Sequence, residues 1–316
     1  MRLSRLAPVG GLALISLMSG CVPGPPATAP IAQPPPVPKS AGVPAAVPTP
    51  TPTTTPIAST TLGGSAVTFD GELEQGGWIR GQLPRGTVSA TLGDDSLPFD
   101  GNGRFFAGFD RNAPASETLT ATLVDGRRVT RQVTIAPRDW RIERVNVPMR
   151  QGGPSEAFMA IRRPELAAIH AARDVRSESD GWTQRFIWPV KGRISGLFGS
   201  QRIYQGVPGA YHSGIDIATG TSGTPYVAPA DGVVVLASDH PFSLEGNLLI
   251  VDHGMGLNSA FLHSSKIVVH QGEHVKQGQL LGYIGATGRA TGPHLHWSLM
   301  WEGKRLDPLL FTGPMR

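Results

Sequence analysis

Apolar and polar positions along the 316 residues fall into stretches of different rhythm. Arg2 and Arg5 are followed by an apolar run from Leu6 to Met18, interrupted by Pro8, Gly10 and Gly11. It is shorter than the ~20 residues that a helix needs to span a bilayer and has the size of a signal-peptide core. From residue 22 to 60 no apolar period exists. From 61 to 137 the period is two, in Val67-Thr68-Phe69, Thr118 to Leu123 and Val129 to Ile135, with turn residues between, among them Leu83-Pro84-Arg85-Gly86, Asp100-Gly101-Asn102-Gly103 and Asp125-Gly126. This spacing predicts six or seven short strands and a hairpin at Asp125-Gly126, hence a small β-sandwich, loosely immunoglobulin-like. Residues 138–186 read as a partly helical connector. Glu156 to about Arg176 has helical spacing with Ile161, Leu166, Ile169 and Ala172 on one face, and Pro164 is expected to break or restart it. Beyond 187 strand patterns return.

Composition sharpens this picture. Glycine and proline number 40 and 29, against a helical bundle and for strands, turns and an unstructured stretch. Thirteen of the prolines lie between Val22 and Thr60, where Lys39 is the sole charged residue. Such a segment forms no core and acts as a semi-rigid spacer. The net charge is +4 with no long basic run, so nucleic acid is not an expected partner. One cysteine excludes an intrachain disulfide framework and a Cys-rich metal site.

That cysteine is Cys21, and it ends the run Met18-Ser19-Gly20-Cys21. The run resembles the lipobox of bacterial lipoproteins, with Met18 where Leu is usual. The resemblance implies lipidation of Cys21 after removal of the preceding residues, a membrane contact through the N-terminal lipid, and a place outside the cytoplasm. Val22 lacks an acidic retention signal, which favours the outer membrane, facing the periplasm.

Eight of the nine histidines follow residue 210. Three groups stand out: His212-Ser213-Gly214-Ile215-Asp216, His263, and His294-Leu295-His296. The last group fits a strand, in which residues i and i+2 look to one face. In the first, Gly214 and the isoleucines favour a loop entering a strand that carries Asp216 back toward His212. His253 reads as structural at a strand end, and His170, His240, His270 and His274 as surface or packing residues. Trp297, by alternation, points away from the face of His296.

From about Ile187 to Phe311 the sequence resembles the LytM/lysostaphin-type zinc metallopeptidases, which cut peptide cross-links of bacterial peptidoglycan. The resemblance rests on Ser195-Gly196-Leu197-Phe198-Gly199, on His212 to Asp216, on Pro225 to Val234, on Asp252-His253-Gly254, on the run from Gly278 through Gly292-Pro293 to His296, and on Asp307-Pro308. It implies a C-terminal antiparallel β metallopeptidase domain at 187–316. It implies His212, Asp216 and His296 as Zn2+ ligands, and His263 and His294 as the catalytic acid/base pair, with their individual roles open. Two departures, Phe261 for Tyr and Ser264-Ser265 after His263, are expected to alter the wall of the site.

The expected organisation is therefore mainly β: residues 1–21 a lipoprotein signal ending at the lipobox, 22–60 a Pro-rich linker, 61–137 a sandwich, 138–186 the connector and 187–316 the peptidase. The implied function is zinc-dependent hydrolysis of peptidoglycan stem-peptide cross-links, either D-alanyl–diaminopimelate or glycine-bridge bonds. The alternative is a non-catalytic LytM-type activator of a cell-wall amidase.

Overall fold

The computed structural model describes residues 64–149 and 154–315. The signal run, Cys21 and the Pro-rich stretch lie outside the described residues. Among those described, no helix is long and apolar enough to cross a membrane.

Seven strands build the first layer pair: β1 Thr68–Glu72, β2 Trp78–Gln82, β3 Thr87–Leu92, β4 Asp95–Ser96, β5 Arg104–Gly108, β6 Ser116–Leu123 and β7 Arg128–Thr134. They pair in the orders β1-β2-β5 and β4-β3-β6-β7, a small sandwich as the alternation predicted. The Asp125-Gly126 turn joins β6 to β7, with Gly126 at φ 81°. The connector then departs from expectation. Before its helix it forms a strand, β8 Ile142–Val145, which pairs in parallel with a strand some 60 residues on (Gln201 beside Ile142).

Helix α1, Glu156–Asp174, runs through Pro164 without a break. Pro164 offers no N–H to the carbonyl of Ala160, but Ala160 is exposed, so water can take its place. Ser155 caps the start, its side chain accepting from the Phe158 N–H at 3.1 Å. Only part of the stripe that the apolar spacing suggested, Ile169 and Ala172, lies in the buried face. Ile161 is exposed, and the face toward the protein consists of Arg162, Glu165, Ile169 and Ala172. Two charged side chains turn inward because they find partners there, described below.

The remaining elements are β9 Arg193–Gly196, β10 Gln201–Tyr204, β11 Val207–Tyr211, β12 Ile215–Ala218, β13 Pro225–Val227, β14 Gly232–Ala237, β15 Asn247–Asp252, β16 Leu257–Ser264, β17 Lys266–Ile267, β18 His274–Val275, β19 Leu280–Tyr283, β20 Leu295–Trp301, β21 Lys304–Leu306 and α2 Leu309–Thr312. The main sheet is antiparallel, in the order β18-β14-β15-β16-β20-β12-β9, with β21 added on β20. Its central strands are covered on both faces, so their sequences are continuously apolar. In β15, Leu248 and Ile250 pack with Ile169 and Ala172 of α1, while Leu249 and Val251 point into the larger core.

That larger core continues into the sandwich. Trp78 and Phe106 pack on Phe311 with ring centroids 5.4 and 6.3 Å away, and Phe106 meets Trp301 edge-on at 6.3 Å. Gly108 has no room for a side chain, since a Cβ there would lie 2.6 Å from Leu306 Cδ2. Arg138 reaches the buried Asp307 at 2.9 Å. The loop after β5 pins the strand that leads to His212: Asp110 accepts from the Tyr211 hydroxyl at 3.3 Å, and Arg111 Nε donates to the Gly199 carbonyl at 2.9 Å.

Candidate functional site

Sheet register assembles the site. Gly196 of β9, Asp216 of β12, His296 of β20 and Leu262 of β16 are cross-strand partners in one row. Cross-strand partners share a face, which puts the Asp216 carboxylate beside the His296 ring. His296 Nδ1 lies 2.8 Å from Asp216 Oδ1. His212, at the mouth of β12, closes the triangle with Nε2 at 3.2 Å from the same oxygen and 3.1 Å from His296 Nδ1. The predicted loop-then-strand geometry for His212 to Asp216 is what the chain adopts.

This donor set suits a metal ion. Three ligands of a tetrahedral site at ~2.0–2.1 Å from an ion stand about 3.3 Å from one another, close to the edges of this triangle. The His212 ring is also oriented for it. Its Nδ1 donates to the Leu197 carbonyl at 3.1 Å, which leaves the lone pair on Nε2, the atom that faces the other two. Gly196 makes room, since a Cβ there would fall 2.3 Å from Asp216 Oδ2 and 3.0 Å from the His212 ring. Burial by itself would raise the Asp216 pKa, but the two imidazoles against its carboxylate, His212 and His296, outweigh it and hold the carboxyl far below the usual range.

His263 and His294 stand beside this triangle. Their ring centroids are 4.9 Å apart, and His294 Nε2 lies 3.7 Å from Asp216 Oδ1. Each ring gives its Nδ1–H to a carbonyl: His263 to Thr287 and His294 to Gly292, both at 2.8 Å. In the neutral form both therefore carry a bare Nε2. His294 reaches the site by the i, i+2 relation with His296. His263 does not follow from alternation. It succeeds Leu262, which lines the same cavity, so in a regular strand its side chain would face away. A backbone φ of 66° turns it back, a left-handed conformation that costs a non-glycine residue about 1–3 kcal/mol. Burial lowers the His263 pKa, so the ring is neutral at pH 7.

All five residues singled out in the sequence thus meet. They face a cavity of about 610 Å³, and His212 and Asp216 also border a second of about 640 Å³ on the β9 side. No sandwich residue between 64 and 137 lines either one.

Residues 210–308 match the sequence profile of peptidase family M23. Over these residues the chain is similar to the M23 peptidases. The resemblance to LytM-type peptidases read from the motifs is borne out. Peptidoglycan DD-endopeptidase ShyA of Vibrio cholerae serotype O1 is 39% identical over 133 residues, which are 42% of this chain and 30% of that protein. Murein hydrolase activator NlpD of Escherichia coli K12 is 33% identical over 124 residues, 39% of this chain and 30% of that one. The chain thus spans under a third of either relative through its M23-matching residues. A solved structure from Pseudomonas aeruginosa, assigned to peptidase M23, matches further, with TM-score 0.58 and 28% identity over 77% of this chain and 96% of that one.

Other expectations around the M23 site divide. His253 is fully buried, donating Nδ1–H to Asp231 O and accepting at Nε2 from Ser259 Oγ, both at 2.7 Å, so its role is structural. Trp297 is in the core, and His170, His240, His270 and His274 are exposed. The two departures from the family pattern do not touch the site wall. Phe261 is fully buried against Tyr226, and Ser264 bonds the Tyr226 hydroxyl at 2.8 Å inside the core. Alternation explains it: Phe261 faces opposite to Leu262.

Sequence reading missed the support of His263. Its backbone N–H donates to the Glu245 carbonyl at 2.8 Å. Arg162 of α1 grips the Glu245 carboxylate with both terminal nitrogens, at 2.6 and 2.7 Å. Glu165, one helical turn on, accepts from the Ser243 N–H and hydroxyl, both at 2.6 Å. The buried Arg162 and Glu165 were the available signal, hidden because charged residues on a helix are ordinarily solvated.

Proposed function

We propose that the protein is a zinc-dependent endopeptidase that hydrolyses peptide cross-links of bacterial peptidoglycan. The observation that carries this reading is one open groove holding a His212–Asp216–His296 donor triangle and two further imidazoles, His263 and His294, each tied through Nδ1 to a backbone carbonyl. Zinc held by the triangle would supply a Lewis acid that polarises the scissile carbonyl and acidifies the attacking water toward pKa ~7. His263 and His294 then form the acid/base pair: a bare Nε2 accepts the water proton, and a protonated ring delivers one to the departing amine. The Thr287 and Gly292 carbonyls hold both rings in the tautomer this requires.

The name of the ShyA relative supports a peptidoglycan substrate, and the similarity to NlpD supports a second reading, activation of a separate amidase. The complete donor set favours hydrolysis, because an activator needs neither His263 nor His294. In this reading Cys21 carries the lipid, the Pro-rich segment is a spacer, and the protein works in the periplasm from the outer membrane. Digestion of purified sacculi by the zinc-loaded protein, with mass analysis of released muropeptides, tests it. Release of un-cross-linked peptides is expected. No release, combined with stimulation of an added amidase, would establish the activator instead.

A further inference from the structure

The two cavities that meet at the donor triangle hold a surplus of positive charge. Their lining carboxylates are all engaged: Asp216 with His212 and His296, Glu245 with Arg162, and Glu143 with Arg202 at 2.7 Å. Of the lining cations, Arg202 is paired in this way, but Arg289 and Arg305 are not. Among the described residues, the guanidinium groups of Arg289 and Arg305 make no hydrogen bond, ion pair or ring contact. Arg289 borders both cavities, and Arg305 borders the one that contains His263 and His294.

Both are nevertheless placed by the fold. The Arg289 backbone N–H donates to the Leu244 carbonyl at 2.9 Å, in the same loop that supports His263. The Arg305 N–H donates to Asp110 Oδ2 at 3.2 Å, from the sandwich. The surplus extends behind the groove wall. Arg173 of α1 is pushed down to about 10, first by burial and then by the charge of Arg305, and stays protonated at neutral pH. A guanidinium has five donors in a fixed fork and no acceptor, so its complement is a planar anion, a carboxylate above all.

Resting on the peptidase reading above, we propose that Arg289 and Arg305 form a carboxylate-reading subsite that selects stem peptides bearing free carboxylates over uncharged or amidated ones. A bridge made of glycine alone would leave both guanidiniums without a partner. A stem peptide with free side-chain or C-terminal carboxylates would satisfy them, and the fork of Arg289 would fix its register against the donor triangle. Exposed charges are screened by salt, so the selection weakens as ionic strength rises.

The test compares the full chain with its Arg289→Gln and Arg305→Gln variants. The binding probe is an un-cross-linked muropeptide with free carboxylates, beside its fully amidated twin, measured by calorimetry at low and high salt. The cleavage probe is the corresponding pair of cross-linked dimers, and zinc content is recorded for every protein. The wild type is expected to bind the free acid about tenfold more tightly, a difference of about 1.4 kcal/mol. Arg289→Gln is expected to bring the ratio below about threefold with zinc retained, and high salt to do likewise in the wild type. Equal binding of the two probes by the wild type, or a preference that survives both substitutions, overturns the subsite. Discrimination in binding without cleavage of either dimer upholds the subsite and removes the peptidase reading. Equal binding with cleavage does the reverse.

Discussion

The backbone N–H of His263 donates to the carbonyl of Glu245, and the carboxylate of Glu245 is held in turn by Arg162 of helix α1. A helix that precedes the M23-matching residues in sequence thereby reaches a groove histidine through two contacts. The pair is mostly buried, with 9% of the Arg162 side chain and 16% of the Glu245 side chain exposed. The strained φ of His263 needs such a cradle, because nothing local favours it.

Removal of Arg162 tests this cradle. Arg162→Met leaves Glu165 and Glu245 close together, mostly buried and without their cation. Stability should fall by about 3 kcal/mol, as when one member of a buried pair is deleted. Peptidoglycan cleavage should fall at least tenfold with zinc content unchanged, since no ligand is touched. Arg162→Met with Glu245→Gln should recover part of the stability. Urea unfolding and zinc analysis beside the cleavage assay check all three.

Gly196 gives a sharper local test. A methyl group there would sit 2.3 Å from Asp216 Oδ2, so Gly196→Ala must swing the carboxylate. Zinc affinity should weaken by about ten- to a hundredfold, the usual effect of disturbing a ligand's support. The fold should persist, because Gly196 ends an edge strand and lies outside the core. Competition with a chelator measures the first, and thermal melting the second.

His253 governs acid stability. Burial pushes its pKa down to about 4, against about 6.5 in the unfolded chain. Above pH 6.5 both states hold the ring neutral, and its contribution is fully present. As pH falls from about 6.5 to about 4 the unfolded chain takes up a proton that the folded one refuses. Stability should drop across that window by about 3 kcal/mol in all. Unfolding curves across this range, compared with His253→Gln, should show a flatter acid slope in the variant. Parallel slopes would mean that His253 is not the group responsible.

How much of this was readable beforehand follows from where each interaction lives in the chain. The donor triangle was legible through the family resemblance, which two short motifs carry: His212 to Asp216, and His294-Leu295-His296. The sandwich was legible from alternation and from Asp125-Gly126. The inward turn of α1 was not, since Arg162 and Glu165 are buried only because Glu245 and Ser243 come to meet them from some 80 residues away. The parallel pairing of β8 with β10 is equally non-local. Gly196 stood among the motif residues without a stated reason, and only the cross-strand row of Gly196, Asp216 and His296 supplies one. Phe261 and Ser264 were placed at the groove through their neighbour His263, which itself reaches the groove only by a left-handed turn that alternation does not show.

His263 and His294 separate proton transfer from metal holding. Neither belongs to the closest triangle of donors, and each is tied through Nδ1 to a backbone carbonyl. His263→Ala and His294→Ala should each keep most of the zinc, while Asp216→Ala and His296→Ala should lose it. Cleavage should fall by about 10² to 10⁴ in the first two variants, the usual worth of positioned proton transfer. The pH profile adds a sign. Burial lowers the His263 pKa, so its basic form persists as the medium becomes more acidic, and a proton-accepting role requires that form. The acid limb of kcat/KM should therefore lie below the ordinary imidazole value of about 6.5, and it should change shape in His263→Ala. Zinc analysis and muropeptide hydrolysis across a pH series measure both. Loss of zinc together with activity in His263→Ala would make that ring a ligand, and an acid limb above pH 6.5 would take the proton-accepting role away from it.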